Sequence, residues 1–369
     1  MSSARRSAGT IAAVVTATAG LLAGAGMVAT AANASSTFIG PLSHTKVIAS
    51  TVPKNGDVNP YGVAVVPRST GRLHRGDVLV SNFNNSANVQ GTGTTIVQVS
   101  PHGSMSLFAG ISDPGCPGGV GLTTALVALR SGWVIVGSLP TMNGNLSGPG
   151  CLIVLDQRGH VRETITGHGI DGPWDMTALD GGHVAELFVT NVLGGILGAH
   201  KSSHGGTVQR LIITSSPGQT PRVLQSTRIG SGFPAKTDPN ALVIGPTGVG
   251  LGQSGTLYVA DSVDNRIARI PHATFRHSDD HAGSTVSRGH ALNDPLGLAI
   301  APNGNIVSAN GGDGNLVETT PRGVQAAVKT VDNNQGGGGN LFGLAIKPGS
   351  DAVYFVDDFM NDNNLQLFF

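Results

Sequence analysis

The chain has 369 residues with 22 basic and 22 acidic side chains, so its formal net charge is zero, and the basic residues are scattered. That removes the electrostatic footprint of a nucleic-acid or anionic-membrane binder. Only 12% of residues are charged, 55 are Gly and three are Glu (Glu163, Glu186, Glu318), which disfavours long exposed helices and favours a turn-rich, all-β chain.

Arg5 and Arg6 precede a nearly uncharged run from about Thr10 to Ala32 that ends in Ala29-Thr30-Ala31 and Ala32-Asn33-Ala34. Mild hydrophobicity followed by small-x-small patterns reads as an export signal over residues 1–34, with a retained anchor as the alternative. The route, general secretion or twin-arginine, stays open. Residues 35–369 then form one domain of a secreted or otherwise extracytoplasmic protein.

Six times the chain repeats a short apolar segment built around a small residue: Pro60 to Val65, Gly119 to Leu122, Pro173 to Met176, Pro246 to Val249, Pro295 to Ile300 and Leu341 to Ile346. The glycines or their equivalents stand at 62, 121, 175, 248, 297 and 343, spaced as four-stranded blades with loop insertions would be. A second strand follows each copy: Val78 to Ser81, Trp133 to Gly137, Leu187 to Thr190, Thr256 to Ala260, Asn305 to Ala309 and Ala352 to Val356. A third follows: Thr95 to Val99, Leu152 to Leu155, Val208 to Ile213, Arg266 to Ile270, Leu316 to Thr319 and Asn364 to Phe368. A fourth follows most units, as at Ser104 to Ala109, Val161 to Thr166 and Val223 to Thr227, but the last unit has none. Lys46 to Thr51 has no blade of its own and can supply the missing strand. The reading is an all-β, six-bladed propeller closed by an N-terminal strand, which leaves no gap of unpaired backbone between the first and last blades.

Within the fourth unit, Thr256-Leu257-Tyr258-Val259-Ala260-Asp261-Ser262-Val263-Asp264-Asn265-Arg266-Ile267 resembles the NHL repeat, with weaker echoes at Val307 to Asn310 and Phe355 to Asp357. The resemblance implies the six-bladed fold and says little about activity.

Loops entering the inner strands and loops joining second to third strands share one face. Asn82, Asn191, Asp261, Asn310 and Asp357 end or follow the second strands, with Gly137-Ser138 the exception, so this face is crowded with Asn and Asp. Together with Asp175 they are candidate ligand-binding residues of a polar funnel. Asp175, Asp261 and Asp357 are the candidate ligands of calcium or another divalent cation. The competing reading is turn chemistry, since Asn and Asp bond to nearby backbone and tolerate left-handed dihedrals.

Cys116 and Cys151 fall on the same face, and in an exported chain an even pair reads as a disulfide, two free thiols being the alternative. His272, His277, His281 and His290, with Asp279 and Asp280, are read as an insertion on the opposite face, better explained by a solvated loop than by a metal. His200 and His204, in a long loop of the third blade on the Asn/Asp face, are better placed for chemistry.

Gluconolactonase and streptogramin lyase propellers are similar in architecture and use a central metal. The lactonase type needs a Glu at an inner-strand start, where this chain offers only Asp175 beside Trp174; the lyase type needs a His and Glu constellation that no Glu here can pair to form. No nucleophile elbow, phosphate loop or zinc signature occurs. The expectation is a monomeric binding or scaffold propeller for a polar small molecule or a protein, with a metal-dependent lactonase or lyase as the alternative.

Overall fold

A computed structural model of the protein describes residues 37–113, 115–117, 119–121, 123–142, 144–196, 201–334, 337–359 and 362–369. The segment read as an export signal and His200 lie outside the described residues. Six sheets make six blades, each with its first strand innermost. Blade one is β2 (Val58–Val65), β3 (Val78–Asn84), β4 (Thr95–Val99) and β5 (Met105–Gly110). Blade two is β6 (Leu126–Ala128), β7 (Val134–Ser138), β10 (Cys151–Leu155) and β11 (Val161–Ile165), with the small hairpin β8 (Thr141–Met142) and β9 (Asn145–Leu146) between β7 and β10. Blade three has five strands: β12 (Pro173–Asp180), β13 (Val184–Asn191), β14 (Ser202–Thr214), β15 (Val223–Asp238) and β16 (Leu242–Ile244).

Blade four comprises β17 (Pro246–Leu251), β18 (Leu257–Asp261), β19 (Arg266–Ile270) and β20 (Ser284–Arg288). Blade five comprises β21 (Pro295–Ile300), β22 (Ile306–Asn310), β23 (Asn315–Thr319) and β24 (Gln325–Thr330). Blade six is β25 (Leu341–Ile346), β26 (Val353–Asp357) and β27 (Asn364–Phe368), completed by β1 (Thr45–Ser50), which pairs antiparallel with β27 from Thr45↔Phe368 to Ser50↔Asn364. The ring is closed by the N-terminal strand, as expected. Among the described residues no helix is long and apolar enough to cross a membrane.

The middle strands of each blade are buried because both faces pack on neighbouring blades, and the core divides into inter-blade clusters such as Leu79, Ile96, Val136 and Ile153 between blades one and two. At the inner rim the blades are stitched by hydroxyl groups. Ser81 donates to Thr123 O, Thr124 to Pro173 O at 3.3 Å, Thr190 to Thr247 O at 2.7 Å and Ser262 to Pro295 O at 2.6 Å. Each bond satisfies a carbonyl of the next blade that the interrupted first-to-second strand pairing leaves free.

Strand register refines the repeat. Val63, Leu126, Met176, Val249, Leu298 and Leu344 pair with Val80, Val136, Val189, Val259, Ser308 and Phe355 respectively. The residue before each is Gly62, Ala125, Asp175, Gly248, Gly297 or Gly343. The second inner strand therefore starts later than Gly119 to Leu122, and Ala125 rather than Gly121 is the equivalent position. Gly121 is small for another reason: a Cβ there would lie 2.6 Å from Gly91 O. At the true ring positions the inner strands nearly touch, a Cβ on Gly343 falling 2.0 Å from Tyr61 O, so only the smallest residues fit. Asp175 alone carries a large side chain there.

Candidate functional site

The third blade decides the shape of the centre. Its β14 and β15 run far beyond a normal blade and, with β16, carry Ala235 and Ala241 to Ile244 into a cluster with Tyr61, Trp174, Leu296 and Phe342. The tract expected to be a loop around His204 is largely strand, with His204 in β14. Tyr61 is the hub of a ring group, 4.4 Å from Phe342, 5.2 Å edge-on from Trp174 and 5.3 Å from Phe83 between centroids. The expected polar funnel is thus filled, along its axis, by aromatic and aliphatic side chains. The sequence hides this because the plug is assembled from blades one, three, five and six.

The strand-end residues are buried and engaged. Asn82 Nδ2 donates to Thr51 O at 2.9 Å and Thr95 Oγ1 at 3.2 Å, joining the start of the chain to blade one. Asn191 Oδ1 accepts from Asp171 N and Gly172 N. Asp261 receives both Nε and Nη2 of Arg266, at 3.0 and 2.6 Å, and burial raises its carboxyl to about 6 despite that partner. Asn310 Nδ2 donates to Ala291 O and Asp313 Oδ1. Asp357 accepts Phe359 N on one oxygen and Gln366 Nε2 on the other. These are turn- and strand-bracing contacts. Even so, Asn82 Oδ1, Asn191 Nδ2, Asp261 Oδ1 and Asn310 Oδ1 each remain buried with no partner among the described residues.

Asp175 stands apart from them, below the plug. Its Oδ1 accepts Met176 N at 2.8 Å and its Oδ2 accepts Val249 N at 2.9 Å across the blade junction. The residue is half-buried, with part of its surface facing the channel, and desolvation raises its carboxyl to about 7 against the pull of those two amides. Asp175, Asp261 and Asp357 stand on three different blades, and each accepts hydrogen bonds from local donors. Among the described residues no group of three or more His, Cys, Asp or Glu side chains is disposed to hold a metal.

A carboxylate group of which the sequence reading marked Asp357 but not Asp294 lies on the Asn/Asp face between blades five, six and one. Asp294, in the loop before β21, is pushed up to about 7 by burial and by Asp238, with Lys236 opposing. Burial and the neighbouring Asp357 and Asp332 take Asp358 to about 8, and burial raises Asp357 to about 6. Tyr61 is 5% exposed, and its hydroxyl is buried, has no partner among the described residues, and is raised well above its usual range by burial and then by Asp294, Asp238, Asp175 and Asp358. Asp294 Oδ1 and Asn364 Oδ1 are also buried without partners. Asp294 carries no repeat signature and is visible in the sequence only as an acid flanking a repeat position, while Asp358 begins a loop that the sequence places on the Asn/Asp face.

Cys116 and Cys151 form a disulfide with Cα atoms 5.6 Å apart, fastening the loop that enters blade two to the start of β10. A disulfide accords with an extracytoplasmic location. The histidines do not gather as one cluster. His272 and His281 occupy left-handed turn positions between β19 and β20, where Arg276 pairs with Asp280 at 3.0 Å and Arg228 with Asp279 at 3.0 Å. His290 follows β20 and so belongs to the other face, a correction to its grouping with them.

No protein-family model matches the chain, and no curated protein matches it in sequence. Solved six-bladed propellers do match in structure. A gluconolactonase from Xanthomonas campestris superposes with a TM-score of 0.54 at 12% identity, covering 89% of this chain and 90% of that one. A calcium-binding regucalcin from Agrobacterium tumefaciens gives 0.53 at 12% identity over 87% and 93%. A virginiamycin B lyase from Staphylococcus aureus gives 0.51 at 14% identity over 88% of each chain. At such identities the likeness establishes the fold alone. This chain is an all-β, six-bladed propeller of the architecture shared by gluconolactonase-like and streptogramin-lyase-like proteins.

Proposed function

We propose that the protein is an exported binding propeller that takes a polar, hydrogen-bond-donating ligand on its Asn/Asp-rich face, at the carboxylates over Tyr61. The observation that supports this reading is the Tyr61 hydroxyl, buried and unpartnered among the described residues and close enough to Asp294, Asp238 and Asp358 to feel their charge. Unspent buried hydrogen-bonding capacity is costly in a folded chain and is expected where a ligand or ordered water completes it. Acceptors predominate, so a ligand bearing amino or guanidino groups suits the group better than an anion.

Calorimetry of the processed protein against small cationic, neutral and anionic solutes tests this, with Tyr61→Phe and Asp294→Asn as variants. Selective binding of the cationic solute, weakened in both variants, is the expected result; anion preference, or affinity indifferent to both substitutions, counts against it.

The second reading is an enzyme, a lactonase or lyase. It draws on Asp294 and Asp358, whose values of about 7 and 8 suit proton transfer at neutral pH, and on the names of the structural neighbours. A metal-dependent form of it requires that chelator lower the melting temperature and calcium restore it. Lactone turnover lost in Asp294→Asn would favour this reading over simple binding.

A further inference from the structure

The channel is plugged on the Asn/Asp face and open on the other. Below Tyr61, Trp174 and Phe342 lies only a cavity of about 30 Å³, but beyond it the inner strands of all six blades enclose a space of about 540 Å³. The side chains along its wall are largely aliphatic, with Val65, Leu251, Ile300 and Ile346 drawn from blades one, four, five and six, while inner-strand backbone and a few polar side chains make the exposed surface as a whole somewhat more polar than apolar. The mouth runs into a cleft of about 510 Å³ that shares Thr177, Leu179 and Leu251 with the channel. That cleft ends on Phe275, which is 78% exposed, and Leu179 at the join is 46% exposed.

Three charged residues line the channel. Arg130 and Asp180 stand at the mouth, the Asp180 carboxylate accepting the backbone N–H groups of Arg130 at 2.6 Å and Gly182 at 2.8 Å. The third is Asp175 at the closed end, in the one ring position not held by Gly or Ala. Its two oxygens each receive a single backbone N–H, and among the described residues no basic side chain pairs with it. A carboxyl at the inner end of the channel lacks a counter-charge, and the aliphatic side chains along the wall gain by being covered from water. One kind of small molecule meets both demands.

We propose that the central channel, entered from the face opposite the Asn/Asp loops, is a binding site for an amphiphilic amine, whose ammonium group pairs with Asp175 and whose apolar body lies along the channel toward Leu179 and Phe275. The ammonium supplies the missing counter-ion and two or three N–H donors for the remaining lone pairs of the carboxylate. The alkyl body covers the aliphatic side chains that otherwise face water along the concave wall, and the ammonium end meets its polar part. The site is distinct from the carboxylate group above Tyr61, from which the aromatic plug separates it.

The test compares three probes of one length, n-hexylammonium, 1-hexanol and hexanoate, by calorimetry on the processed protein. The amine should bind saturably and most tightly, hexanol more weakly, and hexanoate least. Asp175→Asn should weaken the amine by about tenfold, as expected for loss of one charge-assisted contact, while leaving hexanol within about twofold. Thr177→Trp, placed in the wall near the mouth, should abolish binding of all three, with circular dichroism and thermal melts showing that each variant is folded. If Asp175→Asn does not fold, the ranking of the probes on the native protein decides alone. Equal or reversed ranking, no saturable binding of the amine, or binding unaffected by Thr177→Trp would overturn the proposal.

Discussion

The side chain of Asp175 accepts the backbone N–H of Val249 at 2.9 Å, bridging blades three and four at the ring position where four other blades have Gly and one has Ala. Elsewhere the inner strands meet backbone to backbone; here a carboxylate fills the gap. Asp175→Ala leaves the Val249 and Met176 amides without their acceptor and should cost about 1–3 kcal/mol, the penalty for stranding buried donors that channel water can partly relieve. Urea denaturation reads this directly. Asn retains one acceptor oxygen and should fall between alanine and the native protein.

Stability should decline from mildly acidic to mildly alkaline pH. Asp175 and Asp294 lie near 7, Asp357 near 6 and Asp358 near 8, each raised chiefly by burial from the ordinary aspartate value of 3.8. Between those limits the folded state holds more protons than the unfolded one, so the slope of unfolding free energy against pH is negative. The stabilisation is complete below about pH 4 for these groups and is lost as pH rises through 6 to 8. Guanidinium midpoints at pH 5 and 8.5 should differ in that direction, and Asp294→Asn with Asp358→Asn should flatten the difference.

Reduction of the Cys116–Cys151 bond, 35 residues apart in sequence, should lower stability by about 3–4 kcal/mol if loop entropy in the unfolded chain dominates. Thermal melts with and without reductant, and of the double Ser variant, measure it. Agreement between the reduced protein and the variant would assign the effect to the bond rather than to packing of the thiols.

Glu318 is fully buried and holds the start of the propeller. One oxygen accepts Phe38 N at 2.8 Å, Asn303 Nδ2 at 3.0 Å and Asn305 Nδ2 at 2.6 Å; the other accepts Ile39 N at 2.8 Å. Glu318→Ala should cost about 3 kcal/mol or more, since several donors lose a charged acceptor together. Limited proteolysis should then cut near Phe38 to Leu42 before the rest of the chain is touched, whereas Glu318→Gln should resist longer.

The fold was legible because each blade repeats its own hydrophobic pattern. The third strands Thr95 to Val99, Arg266 to Ile270 and Asn364 to Phe368 match the structure, and Lys46 to Thr51 closes the ring because no other strand could. Inner strand two was misplaced because Gly121 satisfies the local pattern while serving a close approach to Gly91 outside the strand. The centre was not legible. Whether Ala241 to Ile244 plug a channel depends on a 16-residue β15 carrying them across the ring, which no local periodicity records. Likewise Asn82 and Asn310 were visible as a pattern, but whether their amides face ligand or backbone is set by neighbours up to 31 residues away.

The pairing of β1 with β27 has a mechanical meaning. Thr45 lies opposite Phe368, so a force drawing the two ends apart opens this pair from its tip, one register step at a time, rather than shearing all of it at once. Such a zipper yields at low load. Upstream of it, however, Phe38 and Ile39 are held by Glu318 on blade five, so tension on the leading end is borne first by that carboxylate and only afterwards by the clasp. The ring is guarded by an anchor on a different blade from the seam that it protects.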